Sequence, residues 1–225
     1  MRALIFAAGR GERMRPLTDT TPKPLLHAGG KPLIAWHLEK LAAIGVRDVV
    51  INTSWLAGQF ATALGDGGHW GLRIHYSYEG ETPLETGGGM FRALPLLGDG
   101  PFIAVNGDVW TDYDFARLPR VPAGLAHVVV IPLPDFRKPG VFEQALAPLL
   151  PRGDGRLHTL AGIAVYRPEL LDGLASGHYS VVPRLTQSID DGQLTAEAFS
   201  GTWRDVGTPE RLAQLDEDLK LRGFS

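Results

Sequence analysis

The feature that most constrains this fold is a repeated alternation along the first half of the chain. Short apolar, β-branched runs are separated by stretches whose apolar residues recur with the 3.6-residue period of a helix. Such alternation is typical of βαβ units, whose strands lie parallel in one sheet with helices on both faces. We therefore predict an α/β fold with a mixed, mostly parallel sheet flanked by helices.

The predicted elements cover most of the 225 residues. Strands are expected at residues 2–8, 48–52, 74–78, 102–106, 127–131, 160–166, 194–199 and 203–206. Helices are expected at residues 31–45, 55–64, 90–97, 168–175, 181–189 and 209–221, with Thr208 as the N-cap of the last and Pro209 at its first position. The Pro- and Gly-rich stretch 132–155 fits neither pattern. Since no repeat or linker divides the chain, we predict a single domain.

Composition excludes several classes of protein. Hydrophobic residues make up 44% of the chain and charged residues 21%, as in globular domains, so disorder is excluded as the main state. A net charge of −3 gives no basic surface for nucleic acid or for an anionic membrane. No apolar run approaches the ~18 residues of a membrane span, and no export signal is expected at the first strand. The absence of cysteine excludes disulfides and thiolate nucleophiles and fits the cytoplasm.

A glycine-rich loop follows the first predicted strand, at residues 9–18. In open α/β sheets ligands bind at the carboxyl ends of the strands, where glycines let backbone N–H groups approach phosphate. The loop is neither the dinucleotide fingerprint, which needs a third glycine, nor a P-loop. It carries the cations Arg10, Arg13 and Arg15, and Lys23 follows it between two prolines. These side chains favour a triphosphate site, with a solvated basic loop as the alternative.

Two aspartates lie at the ends of predicted strands. Asp108 comes after the strand at residues 102–106, and Asp205 lies within the short strand at residues 203–206. Mg²⁺ prefers oxygen ligands and is commonly held by one or two carboxylates together with phosphate oxygens. The pair therefore predicts a Mg²⁺ site, although an aspartate beside glycine also forms turns.

A third motif, at residues 79–89, combines three glutamates with a triple glycine. Three glycines that open a helix are expected to leave its first N–H groups free for a ligand. Glu79 or Glu85 is then expected to accept hydrogen bonds from a base edge or a sugar hydroxyl, and a flexible surface loop is the alternative. The seven histidines show neither metal-ligand nor catalytic-triad spacing. Attack by a phosphate that is already ionised needs charge neutralisation and alignment more than a general base.

Five motifs in order along the chain resemble the sugar-phosphate nucleotidyltransferases: residues 4–18, 21–25, 83–89, 106–108 and 203–208. The resemblance implies a Rossmann-like, nucleotide-diphospho-sugar transferase fold, with residues 1–115 as a nucleotide-binding half and 116–225 as a sugar-binding half. The implied nucleotide ligands are Ala7, Ala8, Gly9, Gly11, Arg13, Glu79 and Gly88. The implied ligands of the sugar 1-phosphate are Lys23, Glu85, Asn106 and Gly162. Arg13 and Lys23 are the implied catalytic residues, and Asp108 and Asp205 the implied Mg²⁺ ligands.

Within that family, residues 106–115 are most similar to the uridylyltransferases that act on N-acetylmuramic acid α-1-phosphate, cytoplasmic enzymes of bacterial cell-wall recycling. The resemblance implies transfer of a uridylyl group from UTP to that sugar 1-phosphate by a monomer or weak homodimer. No nucleic acid or membrane partner is expected. Mannose-1-phosphate guanylyltransferases share the motifs and remain an alternative, as does another nucleotidyltransferase that joins a nucleoside triphosphate to a sugar 1-phosphate. A catalytically silent nucleotide-sugar binding protein is the alternative from outside the enzymes. Segment 132–158 departs from the family pattern and leaves the sugar open.

Overall fold

The computed structural model describes residues 1–135, 138–150 and 156–224. Its strands are β1 (Arg2–Phe6), β2 (His27–Ala28), β3 (Lys31–Pro32), β4 (Asp48–Thr53), β5 (Arg73–Tyr78), β6 (Phe102–Asn106), β7 (Val109–Thr111), β8 (Ala126–Pro132), β9 (His158–Tyr166), β10 (Leu194–Ala198) and β11 (Trp203–Asp205). Its α-helices are α1 (Leu17–Thr20), α2 (Leu33–Ala43), α3 (Gly58–Leu64), α4 (Glu85–Leu97), α5 (Val141–Leu146), α6 (Val182–Asp190) and α7 (Pro209–Leu221). Short 3₁₀ helices lie at Glu12–Met14, Lys23–Leu25, Gly68–Trp70, Phe115–Arg117, Ala147–Leu149 and Pro168–Leu171.

Seven strands form the central sheet, in the order β10-β8-β9-β6-β1-β4-β5. β1 pairs in parallel with β4 and β6, β4 with β5, and β8 with β10. β9 is antiparallel to both of its neighbours, β6 and β8. The mixed, mostly parallel sheet that the sequence predicts is therefore confirmed. Two-stranded antiparallel pairs, β7 with β11 and β2 with β3, lie outside it.

Both faces of the sheet are covered, which explains why β1 has no polar alternation. Ala3 and Ile5 pack in one apolar cluster with residues of α2 and α3, whereas Leu4 packs in a second cluster with residues of α4 and α6. All three side chains are 0% exposed. A strand buried on both faces is expected to be continuously apolar, as these residues are.

The last helix begins as predicted. The Thr208 hydroxyl accepts a hydrogen bond from the Arg211 amide, and Pro209 is the first helical residue. The helix expected at residues 168–175 is wrong beyond Leu171, where the 3₁₀ turn ends. Gly173 there has a φ of 74°, a left-handed conformation that a right-handed helix cannot continue through.

The stretch 132–155, which the sequence pattern leaves unassigned, contains α5 and the 3₁₀ turn Ala147–Leu149. Residues 136, 137 and 151–155 of that stretch lie outside the described part of the chain. Of the helices within the described ranges, none is both long and apolar enough to cross a lipid bilayer.

Candidate active site

A cleft of about 840 Å³ lies at the carboxyl ends of β1, β4, β5 and β6. This volume is within the range of small-molecule sites, and the position is where open α/β sheets bind ligands. The wall residues are Phe6, Ala7, Ala8, Gly9, Arg10, Gly11, Glu12, Arg13, Met14, Lys23, Pro24, Asn52, Glu79, Thr82, Pro83, Glu85, Thr86, Asn106, Asp108, His178 and Gly207. Of the residues proposed as ligands from sequence, Gly88, Gly162 and Asp205 are not among them.

The glycine-rich loop forms one wall of the cleft. Gly11 has a φ of 64°, and a Cβ there would lie 2.9 Å from the Thr18 side chain. The Thr18 hydroxyl in turn donates to the Gly11 carbonyl at 2.8 Å, which fixes the bend. A Cβ on Gly9 would meet no atom within 4 Å, so the backbone there is open to the cleft. Such a loop suits the close approach of phosphate oxygens to backbone N–H groups.

The cations of this loop divide into two groups. Arg10 and Arg13 line the cleft, whereas Arg15 forms an exposed ion pair with Asp19 at 3.2 Å and is not on the wall. Arg13 is exposed and, within the described ranges, forms no ion pair with a carboxylate. Arg13 therefore presents an uncompensated guanidinium to the cleft, and guanidinium groups bind phosphate through two parallel hydrogen bonds.

Lys23 and Asp108 form an ion pair across the floor of the cleft. The Lys23 Nζ donates to Asp108 Oδ2 at 2.8 Å, and the lysine side chain is 8% exposed against 39% for the aspartate. Pro22 and Pro24 flank Lys23 in the 3₁₀ turn that carries it. A buried ammonium held by a rigid backbone has little freedom to leave, so its charge stays beside Asp108.

Helix α2 anchors the strand that follows Asp108. His37 is buried, which lowers its pKa to about 4, so its neutral ring donates from Nε2 to the Val109 carbonyl at 2.8 Å. Lys40 donates to the Thr111 and Tyr113 carbonyls at 2.7 and 2.9 Å, and burial lowers its pKa. These bonds hold β7, and with β7 they fix the position of Asp108.

Asp205 lies close to Asp108 through strand pairing rather than on the cleft wall. It pairs with Val109 in the β7–β11 ladder, and the Val206 amide donates to the Asp108 carbonyl at 3.2 Å. Its Oδ2 accepts from Arg211 at 2.9 Å. Gly207 lets the Asp205 and Arg13 side chains approach the same space, because a Cβ there would lie 3.2 Å from Asp205 Oδ2 and 3.3 Å from Arg13 Nη2.

The two aspartates suit a divalent metal ion whose remaining ligands would be phosphate oxygens. Within the described ranges neither Asp108 Oδ1 nor Asp205 Oδ1 accepts a hydrogen bond from a protein donor. The same ranges contain no group of three or more His, Cys, Asp or Glu side chains that would hold a metal by themselves. Two carboxylates with nucleotide oxygens are a typical ligand set for Mg²⁺, whereas two carboxylates alone are too few.

Asn52 is a cleft residue that the sequence analysis missed. It is the penultimate residue of β4, is 2% exposed, and its Oδ1 accepts from the Ala7 amide at 2.6 Å. Its Nδ2 donates to Glu79 Oε1 at 2.5 Å, and Glu79 Oε2 accepts from the Leu84 amide at 2.6 Å. Burial raises the pKa of Glu79, and the hydrogen bonds from Leu84 and Asn52 oppose that rise. Both Glu79 oxygens are thus already bonded within the protein.

The triple glycine does not open its helix as expected. Helix α4 begins at Glu85, so Gly87, Gly88 and Gly89 lie inside its first turns. The prediction of free N–H groups is wrong for Gly87 and Gly88, whose amides donate to the Tyr179 carbonyl at 2.9 and 3.1 Å. Added Cβ atoms at the three positions would meet the Tyr179 ring at 2.5 Å, the Gly177 carbonyl at 2.0 Å and Glu79 Oε1 at 2.4 Å, in chain order. The glycines therefore permit close packing of the helix.

That packing brings a residue from the second half of the chain to the cleft. The Tyr179 amide donates to the Leu84 carbonyl at 3.2 Å, and the Val181 amide donates to Thr86 Oγ1 at 3.1 Å. His178, the residue immediately before Tyr179, is exposed and lines the cleft. Spacing along the chain gives no signal for a contact of this kind, so no histidine could be assigned a role from the sequence.

Two further predicted ligands differ in their placement. Glu85 lies on the cleft wall and has a φ of 59°, a strained conformation for a residue with a Cβ. Gly162 lies behind the wall, in an irregularity of the β8–β9 ladder, with a φ of 75°. A Cβ on Gly162 would lie 2.8 Å from Asn106 Cγ. Gly162 thus makes room for the Asn106 side chain, which does line the cleft.

The fold and the site together define a nucleotide-handling enzyme, and comparison with known proteins gives its class. The model of the nucleotidyl transferase family matches residues 2–134, which is more than half of the chain. The chain therefore belongs to the nucleotidyl transferase family, as the five motifs indicate.

Individual proteins of known name were also compared with the chain. The chain is 44% identical, over 95% of its length and 96% of the relative's, to the N-acetylmuramate alpha-1-phosphate uridylyltransferase of Neisseria meningitidis serogroup B. It is 30% identical to the mannose-1-phosphate guanylyltransferase of Mycobacterium tuberculosis, of which it covers 65%. A structure from Bacillus anthracis described as a glucose-1-phosphate thymidylyltransferase has a TM-score of 0.80 at 21% identity, with 98% of this chain and 96% of that chain covered. That likeness shows a shared fold.

Proposed function

We propose that this protein transfers a uridylyl group from UTP to a sugar 1-phosphate with Mg²⁺ bound, giving a UDP-sugar and pyrophosphate. N-acetylmuramic acid α-1-phosphate is the proposed acceptor. The observation that carries the proposal is the 2.8 Å ion pair of Lys23 and Asp108 on the floor of a cleft whose wall also holds the glycine-rich loop and Arg13. The 44% identity to the Neisseria uridylyltransferase, over nearly the whole length of both chains, supports the choice of substrates.

In the proposed reaction an oxygen of the sugar phosphate attacks the α-phosphorus of UTP. The bond from that phosphorus to the bridging oxygen breaks, and pyrophosphate leaves with the electron pair. No proton needs to move, because the attacking phosphate is already an anion. The chain's task is therefore alignment and stabilisation of negative charge.

The loop amides and four side chains have proposed parts in that task. The proposed role of the loop amides and Arg13 is to bind the triphosphate, and that of Lys23 is to hold the attacking phosphate against the α-phosphoryl group. Asp108 and Asp205 are the proposed ligands of Mg²⁺, which when bound neutralises phosphate charge as a Lewis acid. Residues 1–115 are the proposed nucleotide-binding half and residues 116–225 the sugar-binding half. Cytoplasmic cell-wall recycling is the proposed setting.

Pyrophosphate release tests this function directly. The purified protein is assayed with Mg²⁺, four nucleoside triphosphates and a panel of sugar 1-phosphates that includes N-acetylmuramic acid, mannose and N-acetylglucosamine derivatives. Release with UTP and the muramic acid derivative alone is expected. Release only with GTP and mannose 1-phosphate would overturn the substrate assignment in favour of the guanylyltransferase. Binding of UTP without release in any combination would overturn catalysis and support a silent binding protein.

A further inference from the structure

A buried chain of hydrogen bonds runs beneath the cleft and connects two of its walls. It starts at the Ala7 amide, where the glycine-rich loop leaves β1, and passes through Asn52 and Glu79 to the Leu84 amide, at 2.6, 2.5 and 2.6 Å in turn. Asn52 and Glu79 are 2% and 6% exposed. The Leu84 end belongs to the segment 82–86, four of whose residues line the cleft opposite the loop.

The direction of each hydrogen bond in this chain is fixed by its two ends. The Ala7 and Leu84 amides can only donate, so an oxygen of Asn52 must face Ala7 and an oxygen of Glu79 must face Leu84. The Asn52 amide nitrogen is then turned toward the remaining Glu79 oxygen. An ionised carboxylate has no proton to donate, so this oxygen accepts the hydrogen bond. An amide followed by a carboxylate is therefore a matched pair at these two positions.

The surroundings hold the pair in place. A Cβ on Gly89 would lie 2.4 Å from Glu79 Oε1 and 2.7 Å from Asn52 Nδ2, so helix α4 packs directly against both side chains. The Glu79 amide donates to the Thr53 carbonyl at 2.8 Å, which ties the end of β5 to the end of β4. Helix α4 therefore covers both side chains of the pair.

We propose that Asn52 and Glu79 are positioning residues that set the distance between the glycine-rich loop and segment 82–86, and so the width of the slot for the nucleoside. This inference rests on the proposed function, since it takes the ligand of the slot to be the nucleoside triphosphate. The proposed role of Glu79 is therefore indirect, whereas the sequence led us to expect a direct contact with the ligand. Both Glu79 oxygens are already bonded within the protein.

An exchange of the two side-chain types tests the proposal. In Asn52→Asp, a carboxylate oxygen faces a Glu79 oxygen where a 2.5 Å hydrogen bond stood. In Glu79→Gln, one acceptor oxygen must serve two buried donors, so one is left without a partner. In Asn52→Asp with Glu79→Gln, the aspartate accepts from Ala7 and from the glutamine NH₂, and the glutamine oxygen accepts from Leu84. The exchange restores every hydrogen bond and leaves the net charge unchanged.

The measurements are the KM for each substrate and nucleotide binding by calorimetry, with Glu81→Gln as a control two residues away on an exposed side chain. Each single variant is expected to raise the KM for UTP at least tenfold and to leave the KM for the sugar phosphate unchanged. The double variant is expected to return within threefold of the wild type, a coupling that unrelated sites do not show.

Other results would overturn the positioning role. A double variant as impaired for UTP as Glu79→Gln would mean that the carboxylate itself contacts the nucleotide. Equal changes in both KM values, or a double variant that unfolds, would mean that the pair only supports the fold. If the wild type uses another nucleoside triphosphate, the assignment of UTP as substrate is wrong. The positioning role is then tested by measuring the same variants with that nucleotide. Calorimetry gives the same comparison if turnover is absent.

Discussion

Gly88→Ala gives the most direct test of how the two halves of the chain meet. An alanine Cβ at this position would lie 2.0 Å from the Gly177 carbonyl oxygen. Unbonded heavy atoms are comfortable at about 3.5 Å, so either the helix or the carbonyl must move by more than about 1 Å. The carbonyl belongs to a segment that four hydrogen bonds hold to the start of α4, through Leu84, Thr86 and the amides of Gly87 and Gly88.

The size of the effect follows from three contributions. Alanine in place of a helical glycine stabilises by up to about 1 kcal/mol. If the segment stays in place, overpacking costs about 1–3 kcal/mol. If it moves, several hydrogen bonds of about 1 kcal/mol each are weakened. Either response outweighs the helical gain, so we expect a net destabilisation of about 1–2 kcal/mol.

Urea unfolding measures this value, with an unchanged slope showing that only stability has altered. Gly58→Ala is the matched control, because Gly58 is also helical and a Cβ there meets no atom within 4 Å. The control is expected to be at least as stable as the wild type. A Gly88→Ala protein of wild-type stability that has lost affinity for UTP would refute the reasoning, since Gly88 would then be a ligand contact and not a packing position.

Four further predictions concern the site and its supports. Asp108→Asn, a change at a side chain that is 39% exposed, should lower turnover by about 10²-fold or more at an unchanged urea midpoint; retained turnover would remove its metal role. Lys23→Met keeps the buried stem but not the charge, and should lower turnover about 10²-fold by pyrophosphate assay. Thr208→Ala removes the N-cap of α7 and should cost about 1 kcal/mol in urea unfolding. The pKa of His37 is lowered to about 4, so the unfolded chain binds its proton first and stability should fall as the pH drops from about 6.5 toward 4. His37→Gln should flatten that slope by up to about 1.4 kcal/mol per pH unit.

The sequence predicts most of the fold because the core strands carry their own signal. β1, β4 and β6 are runs of residues buried on both faces, and the predicted bounds differ from the observed ones by at most two residues. The predicted helix bounds were less accurate at α3 and α4. Gly58 starts α3 three residues later than expected, and the triple glycine lies inside α4 because tertiary contacts outweigh the poor helix propensity of glycine.

The sequence predicts the site only through the rule that open α/β sheets bind ligands at the carboxyl ends of their strands. That rule places Gly9, Asn106 and Asp108 at one edge, where they line one cleft. It says nothing of the contact between Gly88 and Gly177, which depends on how α4 meets a segment nearly ninety residues later in the chain. A polar residue at the end of β4 was visible, but its bonds to Ala7 and Glu79 depend on the pairing of β4 with β1 and β5.

The single reversed strand explains how the second half of the chain reaches this edge. Because β9 is antiparallel to β6, its beginning lies where β6 ends, and Gly162 packs against Asn106. The Trp203 ring nitrogen donates to the Ala161 carbonyl at 2.8 Å, so β11, which carries Asp205, joins at the same point. Parallel strands β1, β4 and β5 supply the loop and the Asn52–Glu79 pair on the other side. If the halves bind different substrates, Gly162→Ala should raise the KM for the sugar phosphate alone, whereas Asn52→Asp should raise the KM for the nucleotide alone.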